Sequence, residues 1–240
     1  MKCSSYKAAI SVLFAAVLTA CGGGGGGGTG DSGYVAAASK PLTDAKPDGG
    51  AGPVPVVGCT VELYGDSIMA GNGTSETPAM TLQRLRPGLQ VVADHAVPGT
   101  TLLVQMQGFA DSPRTARYVV IENGVIDSWQ GYSIDLMLAS YSVMIEQLRS
   151  EGRVPVLTGF SHQSVGGTVS ADNILRRDAY YGIIKNFAGQ MGVAFADWGS
   201  VPFNGPSDLL DFVHPNKVYS DRLVEQLAST LDQVAPECVK

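Results

Sequence analysis

From Thr60 onward, short apolar runs alternate with longer stretches in which apolar residues recur every three or four positions. That alternation constrains the fold more than any other feature of the chain. A strand followed by a helix reaches the next strand through a crossover, and crossovers build parallel sheets covered on both faces. Residues 60–64, 89–93, 117–121, 154–158 and 193–197 read as the strands, with 117–121 apolar enough for a central, doubly buried position. Between them, Thr77-Pro78 opens a helix that ends near Arg86, before Pro87-Gly88. A second helix spans 102–109, and a third is capped by Ser133. A fourth runs from its cap Ser170 to Gly192, with Ile174, Leu175, Ile184, Phe187, Ala188 and Met191 on its inner face. The last carries Leu223, Val224, Leu227, Leu231 and Val234 before Pro236. The expected fold class is therefore α/β: a three-layer sandwich around a five-stranded parallel sheet.

The first strand runs into Tyr64-Gly65-Asp66-Ser67-Ile68. Gly65 permits a sharp turn, which would leave Ser67 at the carboxyl end of a strand, where open α/β sheets keep their ligands. A Gly-Asp-Ser tripeptide alone is weak, since chance supplies one in roughly one chain in twenty of this length. Its partner is Asp211-Phe212-Val213-His214-Pro215 near the other end, which offers a carboxylate and an imidazole three positions apart. A serine hydroxyl needs a base within hydrogen-bond reach, and the base needs a group that fixes its tautomer. Ser67, His214 and Asp211 are the candidates for those roles. Asp66 is expected to shape the turn. Of the other histidines, His95 is expected to be structural and His162 to be a surface or substrate-contact residue.

The two blocks resemble those of the SGNH, or GDSL, hydrolase family of esterases and lipases, and the resemblance extends from about Thr60 to the last helix. It implies a flavodoxin-like fold, a serine nucleophile and hydrolysis of acetyl, acyl or lysophospholipid esters. It also implies an oxyanion hole built from the Ser67 N–H, the Gly99 N–H and an asparagine side chain in a Gly-x-Asn-Asp block. Here the chain departs from the family. In Asn123-Gly124-Val125-Ile126-Asp127, Gly124 and Asp127 match, but Ile126 stands where the asparagine belongs. Either Asn123 supplies the donor from the end of the same strand, or backbone donors work alone, or the scaffold has lost activity and binds a glycan or protein instead. An acyltransferase would use the same residues.

Before the domain, Lys2 and Lys7 precede an apolar run from Ala8 to Leu18, too short for a spanning helix and consistent with a signal peptide over residues 1–20. Leu18-Thr19-Ala20-Cys21 resembles the lipobox of bacterial lipoproteins, which makes Cys21 a lipidation site. Gly22 after it points to the outer membrane of the cell envelope. Residues 21–57, opened by a glycine run, read as a flexible tether, and 58–240 as the domain. Of four cysteines, Cys59 and Cys238 remain. In an exported protein they invite a disulfide, the alternative being two buried thiols. A net charge of −6 and the lack of a basic stripe exclude a nucleic-acid surface. No His/Cys/carboxylate cluster has ligand spacing, so no metal or organic cofactor is expected. The glycine-rich loops with Trp129 and Trp198 suit a carbohydrate or small acyl ester.

Overall fold

The computed structural model describes residues 57–239. The signal peptide, Cys21 and the tether up to residue 56 lie outside the described residues. The elements follow in the order β1 (Val57–Gly65), α1 (Pro78–Leu85), β2 (Gln90–Asp94), α2 (Leu102–Phe109), β3 (Ala116–Glu122), α3 (Val125–Gln130), α4 (Ile134–Ser150), β4 (Val154–Thr158), α5 (Ala171–Met191), β5 (Ala194–Ala196) and α6 (Lys217–Val234). The strands form one sheet in the order β2-β1-β3-β4-β5, and every pairing is parallel. Helices α1 and α6 pack together, as do α2 with α4 and α3 with α5, which gives the two outer layers. The α/β sandwich read from the alternation is the fold observed.

Strand β3 occupies the centre because it can be buried on both faces: Tyr118, Val119, Val120 and Ile121 are all inaccessible to solvent. Its neighbour β1 contributes Val61 and Leu63 to the same core. The predicted caps hold. Thr77 Oγ1 accepts from Met80 N, Ser133 Oγ from Asp135 N, and Ser170 forms a reciprocal capping box with Asn173. Gly192 closes α5 in the left-handed conformation.

Two expectations change. Leu175 does not belong to the inner face of α5; it is 67% exposed, while Arg177 is 3% exposed. The first half of α5 covers the turn after β4, whose polar groups need donors. Arg177 Nη1 supplies one to the Ser161 carbonyl at 2.8 Å, and it also donates to Gln163 Oε1 at 3.3 Å. A leucine there would leave them unpaired. The second change is α3, one turn of helix in a segment that reads as loop. It starts after Gly124, at φ 114°, and ends at Gly131, at φ 74°, too short for an apolar period to register.

Cys59 on β1 and Cys238, just beyond α6, form a disulfide with Cα atoms 5.5 Å apart and a sequence separation of 179. It joins the first strand to the far end of the domain, closing a long loop in the unfolded chain. Replacing both cysteines by alanine should lower the unfolding free energy by about 2–5 kcal/mol, measured from urea unfolding curves extrapolated to water, with the m-value rising as the unfolded chain expands. An unmoved midpoint would mean that the bridge restrains the unfolded chain very little.

Candidate active site

Beyond Tyr64 the chain turns tightly at Gly65, where there is no room for a side chain. A Cβ there would lie 2.5 Å from Met69 Cβ and 2.7 Å from Glu122 Oε2. The turn is closed by Ile68 N donating to Asp66 Oδ1 at 2.9 Å, so Asp66 shapes it as the sequence implies. Ala70 N then donates to the Asp66 carbonyl and Asn72 N to that of Ser67, both at 3.0 Å. Ser67 emerges half-buried at the carboxyl edge of the sheet.

The second block folds into a loop pinched at its base, where Leu209 and Pro215 form an isolated bridge and Leu210 N donates to the His214 carbonyl at 2.8 Å. Between them Phe212 adopts φ 68°, a left-handed conformation rare for a bulky side chain. That reversal lets Asp211 Oδ1 accept from the backbone N–H of Val213 at 3.2 Å and of His214 at 2.9 Å. The carboxylate also receives His214 Nδ1, at 2.8 Å to Oδ2 and 3.0 Å to Oδ1. With Nδ1 carrying the proton, Nε2 is left as an acceptor, and it lies 2.9 Å from Ser67 Oγ. Burial pushes the Asp211 pKa up, but the His214 backbone N–H and imidazole outweigh it and hold the carboxyl below its ordinary range. Three side chains from the two ends of the domain thus form one hydrogen-bonded chain. It can polarise a hydroxyl and take its proton.

Gly99 stands in the loop after β2 at φ 81°. That loop extends the β1 pairing, with His95 N donating to the Leu63 carbonyl at 2.7 Å and Val97 N to that of Gly65 at 2.9 Å. Two bonds then fasten it to the end of β3. Asn123 Nδ2 donates to the Thr100 carbonyl at 3.2 Å, and the Asp127 carboxylate accepts from Leu102 N at 2.9 Å. Asn123 is 1% exposed, its own carbonyl accepts from Tyr141 Oη at 2.6 Å, and its side-chain oxygen has no partner among the described residues. Ile126 is the second residue of α3 and brings no polar group.

His95 stacks on Tyr64 with ring centroids 4.5 Å apart, a structural role as expected. Of the two readings of His162, surface or substrate contact, the surface one does not hold. It is half-buried, stacked on Phe203, with Nε2 2.9 Å from the Gly199 carbonyl, and burial beside the Arg177 charge lowers its pKa. Glu122 was missed. It is fully buried at the end of β3, and its Oε2 accepts from Asp66 N at 3.2 Å. The available signal was one acidic residue ending an otherwise apolar central strand. Among the described residues no His/Cys/carboxylate group is arranged to hold a metal ion.

A family model described as GDSL-like Lipase/Acylhydrolase family matches residues 63–218, a span that includes both blocks. The chain belongs to that family. It is a carboxylic ester hydrolase of the GDSL type. Solved structures share its fold at low identity. A GDSL-like lipase from Bacteroides thetaiotaomicron is 16% identical at a TM-score of 0.58, over 75% of this chain and 88% of that one. A catalytic mutant of Axe2, an acetylxylan esterase from Geobacillus stearothermophilus, is 16% identical at 0.56, over 74% and 95%. The psychrotrophic esterase EstA from Pseudoalteromonas sp. is 14% identical at 0.56, over 73% and 98%. No curated protein matches the chain.

Within this GDSL domain the Asp211–His214 loop is held from the side by the loop after β4. Ser164 N donates to the Phe212 carbonyl at 2.9 Å, and the Phe212 ring lies so close to Gly166 that a Cβ there would sit 2.3 Å from it. Gly166→Ala should therefore push Phe212 and the loop away from Ser67. We expect kcat to fall about tenfold or more while circular dichroism and the cooperativity of unfolding stay close to wild type. Undiminished kcat would mean that the two loops move independently.

Proposed function

We propose that this hydrolase is a serine esterase that removes short acyl groups, O-acetyl groups above all, from carbohydrate at the cell envelope. The observation that carries the reading is the unbroken chain from Ser67 Oγ through His214 to Asp211. Ser67 Oγ attacks the ester carbonyl while His214 Nε2 takes its proton, and Asp211 stabilises the imidazolium that results. The tetrahedral oxyanion is met by the backbone N–H groups of Ser67 and Gly99, with Asn123 Nδ2 in place of the donor that Ile126 cannot provide. The Asn123 amide has one N–H spent on Thr100, in the loop that carries Gly99, and a second N–H available. As the intermediate collapses, His214 returns the proton to the departing alcohol. A water, deprotonated by the same imidazole, then releases the acyl group from Ser67.

The substrate assignment draws on polar, glycine-rich loops at the carboxyl edge of the sheet and on the fold shared with an acetylxylan esterase. Export and anchoring rest on the lysine-flanked apolar segment and on Cys21 within its lipobox-like setting, which together make this an outer-membrane lipoprotein.

Hydrolysis of p-nitrophenyl esters of graded chain length, beside acetylated xylooligosaccharides, tests the reading. Acetyl esters should be the fastest substrates. Ser67→Ala should lower kcat/KM at least about a thousandfold, and Asn123→Ala by about 100- to 1000-fold with KM little changed. Wild type no faster than Ser67→Ala on every ester would leave a binding scaffold. An unaffected Asn123→Ala would reduce the oxyanion hole to backbone donors.

A further inference from the structure

Under the nucleophile turn lies a cluster of carboxyl groups that the reaction as described does not use. Glu122 ends β3 with no accessible surface, and Asp66 beside it is equally enclosed. Glu122 Oε2 accepts from the backbone N–H of Asp66, the residue before Ser67, at 3.2 Å. Glu122 Oε1 and Asp66 Oδ2 have no hydrogen-bond partner among the described residues, and each carboxyl group acts electrostatically or through its hydrogen bonds on the other. Two carboxylates enclosed side by side cannot both be ionised without repelling each other, and a proton on one of them relieves that repulsion.

The surroundings decide where the proton resides. Asp127 from α3 adds a further negative charge, Tyr141 from α4 is neutral, and His214 from the loop before α6 is a cation-forming group that acts on Asp66. Burial first, then the Asp66 charge, drives the Glu122 pKa far upward, whereas burial leaves Asp66 at about 6.

We propose that Glu122 is a positioning residue of the esterase: a neutral carboxylic acid beside Asp66 that holds the Ser67 turn by the Asp66 N–H and releases it when its proton is lost. The inference rests on Ser67 being the nucleophile. It makes the alkaline limit of activity a property of the buried pair, because loss of the proton sets two carboxylates against each other beneath the serine. It also has a signature in stability. Free glutamate titrates near about 4.3, so the folded chain takes up a proton that the unfolded chain has lost above that pH. The stabilisation from this uptake is complete below the unfolded value and drains away as pH rises through the raised, folded one.

The test compares wild type, Glu122→Gln and Glu122→Ala, with Ser67→Ala as the inactive reference. Glutamine keeps the donor and the acceptor but has no proton to lose. Glu122→Gln should hold kcat within about twofold at neutral pH, lose the alkaline limb of kcat, and gain in Tm relative to wild type as pH rises. Glu122→Ala should lower kcat about tenfold or more with KM unchanged. An infrared band of a protonated carboxyl group at neutral pH should be present in wild type and absent in Glu122→Gln. An alkaline limb shared by wild type and Glu122→Gln, full activity in Glu122→Ala, or no protonated-carboxyl band in wild type would each overturn the proposal. The infrared and Tm measurements need no turnover, so they stand apart from the esterase reading. Should Glu122→Gln fail to fold, Glu122→Ala takes its place in the infrared comparison, and the band must again be lost.

Discussion

The parallel pairing of β1 with β3, in register up to Gly65 opposite Glu122, determines where the functional groups of this molecule end up. Parallel strands finish at the same edge, so the turn that carries Ser67 and the segment that carries Asn123, Gly124 and Asp127 leave the sheet side by side. The β2 loop is drawn in by continuing the β1 ladder to Val97, which brings Gly99 to the same edge. The burial of β3 on both faces keeps that edge rigid, while the residues that follow each strand are free to vary. The Asp211–His214 loop arrives from the far end of the chain, and it depends on different restraints: the Leu209–Pro215 bridge and the contact of Phe212 with Gly166.

Much of this was legible because it depends on local chemistry. Thr77-Pro78, Ser133, Ser170 and Gly192 mark helix ends through hydrogen bonds and backbone preferences within a few residues, and α2 was found at its observed limits. The apolar residues of β3 could be recognised as a central strand by their continuity. Ser67, Asp211 and His214 were legible as residue types at meaningful spacing, though their 2.8–3.0 Å contacts are products of the tertiary fold. What was not legible depends on what lies opposite. Leu175 fits a helical apolar face, but the surface beneath that part of α5 is a polar turn that recruits Arg177. Nothing near His162 in sequence announces Phe203 or the Gly199 carbonyl. Glu122 drew no reading, because its partner Asp66 is 56 residues away.

The departure at Ile126 takes on physical meaning in the structure. Asp127 keeps a structural task, binding the N-terminus of α2, so α2 and α3 remain tied together without the family asparagine. Asn123 reaches the loop that holds Gly99 from the other end of the same segment. If Asn123 is the donor, as proposed, it stands three residues before Ile126 on a framework that stays the same, so a site on an α/β edge can be altered without disturbing the sheet. The cost is a buried amide with an unpaired oxygen, tolerable where substrate or water completes the set.

Stoichiometric labelling with a fluorophosphonate, followed by peptide mass spectrometry, tests the central claim that the Asp211–His214 loop activates Ser67. One adduct per chain should form, on Ser67, and His214→Ala should slow its formation by orders of magnitude while leaving the fold intact. Labelling of another residue, or of Ser67 at the same rate without the imidazole, would contradict the account.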